Sequence, residues 1–240
     1  MKKAVDLKKI VVIPTYNEKE NIEKLTNLIL ELDCDFNVCV VDDNSPDGTA
    51  QIVENLQKTH NKAKNIHLLK RPGKLGLGTA YKTGINYGLA NNFELIFTMD
   101  ADFSHHPKYL PDFLKKLDEY DIIIGSRYVP GGGTVNWGLH RKILSRCANL
   151  FAKIMLNIKS NDNTAGYRGY HRKVFEKINL DIIQSNGYSF LVEMIYYCHK
   201  NGFSVGETPI VFVDREKGKS KISKNEIYKA IKTILRLKFA

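Results

Sequence analysis

The chain is poor in the features that mark several large protein classes. Its four cysteines, Cys34, Cys39, Cys147 and Cys198, form no CxxC pair and have no metal-ligand spacing. This excludes a disulfide scaffold and a zinc ribbon, and suits thiols kept in a reducing compartment. Long apolar runs are missing: the longest is Met194–Cys198, far short of the ~20 residues that span a bilayer. The start, Met1-Lys2-Lys3-Ala4-Val5-Asp6, has basic residues with no apolar stretch behind them, so no secretory signal is expected. No glycine pair has P-loop spacing before Gly73-Lys74. Gly76-Leu77-Gly78 lacks the third glycine of a dinucleotide fingerprint, with Tyr81 in its place, and follows the third apolar run rather than the first. Zinc-finger, RRM and KH signatures are absent as well, so no nucleic-acid partner is expected.

Acidic residues are also missing where basic ones gather. Net charge is +10. Residues 138–158 hold Arg141, Lys142, Arg146 and Lys153 with no acid. Residues 214–240 hold nine Lys or Arg against Asp214, Glu216 and Glu226. The rest of the chain balances to zero, so an anionic partner meets one region: by charge alone a phosphorylated substrate, an acidic membrane surface or nucleic acid, the last without any signature in the chain. In other respects the composition, 43% hydrophobic and 26% charged, is that of a globular domain.

Short apolar runs at Ile10–Ile13, Val38–Val41, Ile66–Leu69, Leu95–Phe97 and Ile122–Ile124 read as buried strands. Between them, Ile22/Leu25/Leu28/Ile29/Leu32 and Ile52/Val53/Leu56 have helical spacing, with Asp47 as N-cap of the second helix. Such βαβα alternation predicts an α/β fold with a mostly parallel sheet. Gly131-Gly132-Gly133 reads as a flexible loop. Beyond it lie an amphipathic segment from Leu139 to Ile158, a polar aromatic-rich stretch at Thr164–Tyr170, a helix near Phe190–Lys200, a strand at Pro209–Val213 and a last basic amphipathic helix at Ser223–Lys238. The last helix is long enough to lie on a membrane but not to cross it.

The most informative spot is Asp100-Ala101-Asp102, directly after Leu95-Ile96-Phe97. Two carboxylates at the C-terminal end of a buried strand sit where open α/β sheets bind ligands. They repel one another unless a cation lies between them. Mg²⁺ suits such a site, since one or two carboxylates plus substrate phosphates usually hold it. The first strand ends in Pro14-Thr15-Tyr16-Asn17-Glu18 and the second in Asp42–Thr49, so three polar strand ends are expected at one sheet edge. Asp43 is a candidate acceptor for a base or ribose, while turn and capping roles for Asp42–Asp47 stay open. His105-His106 has no spaced partners and is not read as a metal site.

Here the motifs reach a recognisable pattern. PTYNE at 14–18, VDDNSPDGT at 41–49, KLGLGTAY at 74–81 and MDADFSHHP at 99–107 closely resemble those of the dolichol-phosphate mannosyltransferases, inverting family 2 glycosyltransferases of GT-A fold. GSRY at 125–128, RKILSR at 141–146, DNTAGYRGY at 162–170 and VDR…GKSK at 213–221 continue it in matching order. The resemblance implies a single GT-A domain over 1–240, with a nucleotide-binding half to about 128 and an acceptor- and membrane-facing half from 129. Pro14, Tyr16 and Glu18 would contact the nucleotide, and Val41 and Asp43 would line base and ribose. Asp100, Ala101 and Asp102 would hold the diphosphate and a Mg²⁺ or Mn²⁺ ion, with Ser104 at the third metal-side position. Arg127, Arg215 and Lys221 would grip phosphates, and Arg141 and Ser145, with Arg127, the acceptor phosphate.

The implied reaction moves mannose from GDP-mannose to a dolichyl (polyprenyl) phosphate at the cytoplasmic face of a membrane, the ER or plasma membrane. Some members work there with small membrane-anchoring subunits. An acceptor phosphate has a second pKa near ~6 and is already anionic at neutral pH, so no dedicated general base is needed. Two alternatives stay open: UDP-glucose as donor, or a saccharide acceptor, for which Asp162 would be the one candidate base, although a turn or cap role suits it better.

Overall fold

The computed structural model describes residues 3–214 and 224–239. Five strands follow the expected order: β1 Lys9–Thr15, β2 Phe36–Asp42, β3 Ile66–Lys70, β4 Leu95–Thr98 and β5 Ile122–Ser126. Helices α1 Ile22–Leu30, α2 Thr49–Thr59, α3 Leu77–Ala90 and α4 Leu110–Leu117 alternate with them. Then come β6 Gly133–Val135, α5 Leu139–Leu156, β7 Arg168–His171, α6 Arg172–Lys177, α7 Ser189–Lys200, β8 Val205–Pro209, β9 Val211–Val213 and α8 Lys224–Lys238.

The main sheet has the order β3-β2-β1-β4-β7-β5-β8, and β6 pairs with β9 in a separate ribbon. β3, β2, β1 and β4 run parallel, in the register Lys9↔Phe36 through Thr15↔Asp42 and Lys9↔Leu95 through Val12↔Thr98. Their C-terminal ends therefore emerge together. The chain steps outward from β1 to β3 and then returns to β4 on the other side, so the switch point lies between β1 and β4. That crevice is where such sheets bind ligands.

The strands read as unbroken apolar runs because both faces are covered. Ile10 and Val12 pack with Tyr81, Ile85 and Phe190 on one side. Val11 and Ile13 pack with Ile22, Leu25, Ile29 and Phe113 on the other.

Two expectations are corrected, and one stretch with no expected element gains one. The polar, aromatic-rich Thr164–Tyr170 leads into β7, which inserts antiparallel between β4 and β5. Its hydrophobic signal is weak because the fully buried Arg168 takes a strand position, with Nε, Nη1 and Nη2 each 2.8 Å from the carbonyls of Ala165, Leu191 and Asn163. Within Gly131–Gly133, read as a flexible loop, Gly133 opens β6 and Gly132 is tightly packed. A Cβ at Gly132 would lie 2.5 Å from the Ser126 carbonyl, closer than any side chain tolerates. The strand expected at Pro209–Val213 breaks at Ile210, with Val205–Pro209 on the main sheet and Val211–Val213 on β6.

Helix α5 leaves most of its apolar side chains outside. Only Asn149, Ala152 and Leu156 are buried, while Leu139 (74%), Ile143 (54%), Leu150 (58%) and Ile154 (66%) are exposed. At 100° per residue these four fall within one stripe. Tyr228, Ile231, Leu235 and Phe239 of α8 and its end are exposed too. Among the described residues, no helix is long and apolar enough to cross a membrane.

Candidate active site

The carboxylate pair sits in the turn that leaves β4. Phe103 adopts φ 60°, and the Ser104 N–H donates to Asp102 Oδ1 at 3.1 Å, so the chain doubles back directly behind Asp102. Ser104 is itself buried, at 1% exposed. It serves Asp102 through its backbone N–H. Asp100 keeps its side chain 28% exposed. Its Oδ1 accepts from the Tyr81 hydroxyl at 3.1 Å, and its N–H donates to His105 Nδ1 at 3.1 Å. Ala101 is buried between the two.

At the nucleotide end, Pro14 and Tyr16 are half-buried at the close of β1, with Lys74 Nζ 4.6 Å above the Tyr16 ring. Glu18 Oε2 accepts from Asn21 Nδ2 at 3.0 Å, and its N–H donates to Thr49 Oγ1 at 3.0 Å. The α2 start is held by Asp47, whose Oδ1 accepts from the Thr49 N–H at 3.0 Å. The cap position proper is Gly48, at φ 93°.

Val41 is fully buried, its side chain in the core against α3. Its backbone is the part of Val41 at the sheet edge, where β2 pairs with Pro14 of β1. Asp43 is buried beside Arg71, with Nε 3.0 Å from Oδ1. The contact lacks hydrogen-bond geometry, so Asp43 Oδ1 and Arg71 Nη1 are both buried without hydrogen-bond partners. Burial raises the Asp43 carboxyl above its ordinary range, against the opposing pull of Arg71. An orphaned acceptor and an orphaned donor side by side match a ligand edge that carries both functions.

The acceptor side differs most from expectation. Arg127 is buried, and its Nε and Nη2 bond Asp162 Oδ2 and Oδ1 at 2.7 and 2.6 Å, with Thr164 Oγ1 at 2.8 Å from Nη2. Burial alone would push the Asp162 carboxyl up, but Arg127 outweighs it and holds the group below the usual range. Arg127 is thus held in an internal ion pair through Nε and Nη2. Asp162, fully buried and paired, is not placed as a general base.

Above this pair lies an aromatic platform. The Arg127 guanidinium is 5.3–5.5 Å from the rings of Tyr128, Trp137 and Phe212. Trp137, immediately before α5, carries Arg141 over its ring at 4.1 Å, and its buried Nε1 has no hydrogen-bond partner. Arg141 also pairs with Asp214 at 2.5 Å. Ser145, one turn along α5, accepts from the Tyr128 hydroxyl at 2.7 Å, which leaves its own proton to donate elsewhere. The rings His105, Phe212 and Trp137 are in contact at 5.5 and 5.3 Å, and so connect Asp100 to Arg141 without a break. Arg215 and Lys221 lie outside the described residues.

Tyr81, Arg71, Trp137 and Tyr128 were not singled out by sequence reasoning. Tyr81 and Tyr128 stood inside the motifs, and Trp137 is the lone tryptophan. Arg71 carried no signal beyond its place just after the third strand.

Comparison with known proteins shows the family of the chain. The profile of Glycosyl transferase family 2 matches residues 10–179. Polyprenol monophosphomannose synthase of Mycolicibacterium smegmatis is 41% identical over 223 residues, covering 92% of this chain and 83% of its own. Undecaprenyl-phosphate mannosyltransferase of Micrococcus luteus is 39% identical over 227 residues, covering 95% and 92%. Among solved structures, glucosyl-3-phosphoglycerate synthase of Mycobacterium tuberculosis, in complex with Mn²⁺, UDP-glucose and phosphoglyceric acid, superposes with a TM-score of 0.71 at 16% identity, covering 99% and 82%. A mannosyltransferase of Pyrobaculum calidifontis in complex with GDP-Man and Mn²⁺ superposes at 0.60 and 19% identity, covering 89% and 58%. The likeness to these structures is one of fold, and it agrees with the GT-A architecture that the motifs implied. With the profile over most of its length and two relatives near 40% identity, the chain belongs to glycosyl transferase family 2.

Proposed function

We propose that the protein transfers mannose from GDP-mannose to a polyprenyl phosphate, with inversion, at a membrane surface. The observation that carries this reading is the aromatic connection from the Asp100–Asp102 turn to Arg141. It sets an anion-binding helix start beside the carboxylates, as transfer from a diphosphate donor to a phosphate acceptor requires. The two curated relatives, named for mannosyl transfer to polyprenol carriers, support the same substrates.

The site fits a divalent cation. Asp100 and Asp102 are hard oxygen donors with Asp100 open on one side. Among the described residues no group of three or more His, Cys, Asp and Glu could hold a metal unaided, so the ion would be shared with the donor diphosphate. When bound, Mg²⁺ or Mn²⁺ neutralises charge developing on the leaving group. Asp43 and Arg71 present an acceptor and a donor to the base, and Tyr16 and Glu18 flank the nucleotide. Arg141 and the free proton of Ser145 receive the acceptor phosphate, whose anionic oxygen attacks without a base. The commitment of Asp162 to Arg127 disfavours a saccharide acceptor. Asp214 would give way as the phosphate takes over Arg141.

The outward stripe of α5, bordered by Lys142 and Arg146, would lie in the headgroup region, with Arg141 on the opposite, site-facing side of the helix to meet the carrier's phosphate. Arg236 of α8 is not free for lipid, since it bonds the fully buried Glu193 at 2.7 Å. Titration calorimetry with GDP and UDP, each with and without Mn²⁺, tests the donor half of the reading. Tighter binding of GDP than UDP, strengthened by the metal, is the expected result. A preference for UDP would replace the donor by UDP-glucose.

A further inference from the structure

Tyr81 is a core residue by burial, yet its hydroxyl has a specific task. It projects from α3 with no exposed surface, its ring stacked on Phe190 of α7 at 6.0 Å and 21°. A buried hydroxyl is costly unless bonded, and a phenylalanine would fill the same space without that cost. The hydroxyl donates to Asp100 Oδ1 at 3.1 Å. From the opposite side, His105, stacked on Tyr167 at 5.1 Å, accepts the Asp100 N–H through Nδ1 and lies 3.8 Å from Oδ2. Gly166 closes the third side. A Cβ there would stand 3.2 Å from the Tyr81 oxygen, 3.5 Å from Asp100 Oδ1 and 3.6 Å from His105 Cε1.

We infer that Tyr81 is a positioning residue for the metal-side carboxylate. Its hydroxyl ties down Oδ1 of Asp100 and so fixes the orientation in which that carboxylate would hold a divalent cation, while Gly166 keeps room for that phenol. The inference rests on the cation reading given above. Partners that orient a metal ligand from behind typically govern affinity by about 10–100-fold.

The test is calorimetry of GDP binding, with Mn²⁺ and in EDTA, on wild type and Tyr81→Phe, together with the electron paramagnetic resonance spectrum of Mn²⁺ in the GDP complex. The expected result for Tyr81→Phe is an unchanged affinity for GDP in EDTA, a loss of about 10-fold or more in the Mn²⁺-dependent gain, and an altered Mn²⁺ spectrum. A merely structural role would weaken both conditions alike. Gly166→Ala is the second variant: alone it should mimic Tyr81→Phe, and in the Tyr81→Phe background it should add nothing, because the crowded oxygen is gone. A Tyr81→Phe protein with the full wild-type metal gain overturns the inference and leaves the cation reading intact. A wild type with no metal gain overturns both.

Discussion

Replacing Asp162 by asparagine separates two roles that the sequence leaves open for it. In the structure Asp162 is fully buried and neutralises Arg127, itself buried, through contacts of 2.6 and 2.7 Å. Asparagine keeps the shape but removes the charge and turns an amide N–H₂ toward a guanidinium that only donates. Breaking one partner of a buried pair costs about 3–5 kcal/mol. For a domain of this size each kcal/mol shifts the melting midpoint by about 2–4 °C, so Asp162→Asn should melt about 6–20 °C lower.

The pH dependence has a defined sign. The folded carboxyl is held below its ordinary value because Arg127 outweighs burial. Its contribution is therefore complete above the unfolded carboxyl value, near ~3.9, and is lost as pH falls through the lower folded value. Wild type should lose this part of its stability on acidification below about pH 4, and the variant should not. Calorimetric melts from pH 7 to pH 3, beside turnover measured well below the variant's midpoint, form the assay. A variant that melts within about 2 °C of wild type yet loses turnover would refute the ion-pair reasoning and restore Asp162 as a chemical base.

Other perturbations follow from the same geometry. Asp102→Asn should leave the melting midpoint nearly unchanged while abolishing the Mn²⁺-dependent gain in GDP affinity, as read by calorimetry. Arg141→Ala should raise the KM for polyprenyl phosphate about 10–100-fold, the loss of one charged hydrogen bond, with GDP-mannose affinity unchanged; an equal effect on the donor would remove Arg141 from the acceptor site. Arg71→Ala should shrink the thermal stabilisation given by GDP, because the buried Asp43 carboxyl loses its counter-charge. Replacing Ile143, Leu150 and Ile154 by serine should weaken binding to anionic vesicles on the order of 100-fold if each contributes ~1 kcal/mol, with little effect on a short soluble acceptor in a flotation and kinetic comparison.

Much of the fold was legible because parallel strands covered on both faces must be continuously apolar. Ile10–Ile13, Val38–Val41 and Ile122–Ile124 announce themselves in that way. β7 did not, since Arg168 is satisfied there by carbonyls rather than by apolar neighbours. The crevice was legible from the polar residues that end β1, β2 and β4, whose register brings them to one edge. What local sequence could not reveal was pairing across distance. Arg127 and Asp162 lie 35 residues apart, and Tyr81 and Asp100 lie 19 apart on different elements. Each looks like a free functional group until the fold supplies its partner. The amphipathic α5 was legible as a helix, but its outward-facing stripe emerges only when the sheet leaves that face uncovered.

The central claim is tested most directly by one partition measurement. The protein is incubated with Mn²⁺, a polyprenyl phosphate and either radiolabelled GDP-mannose or radiolabelled UDP-glucose, and the products are extracted into organic solvent. Label from GDP-mannose should enter the organic phase, only when the polyprenyl phosphate is present, and should fall to background with EDTA. Lipid-soluble label arising from UDP-glucose and not from GDP-mannose, or label that stays in water on a saccharide product, would contradict the account.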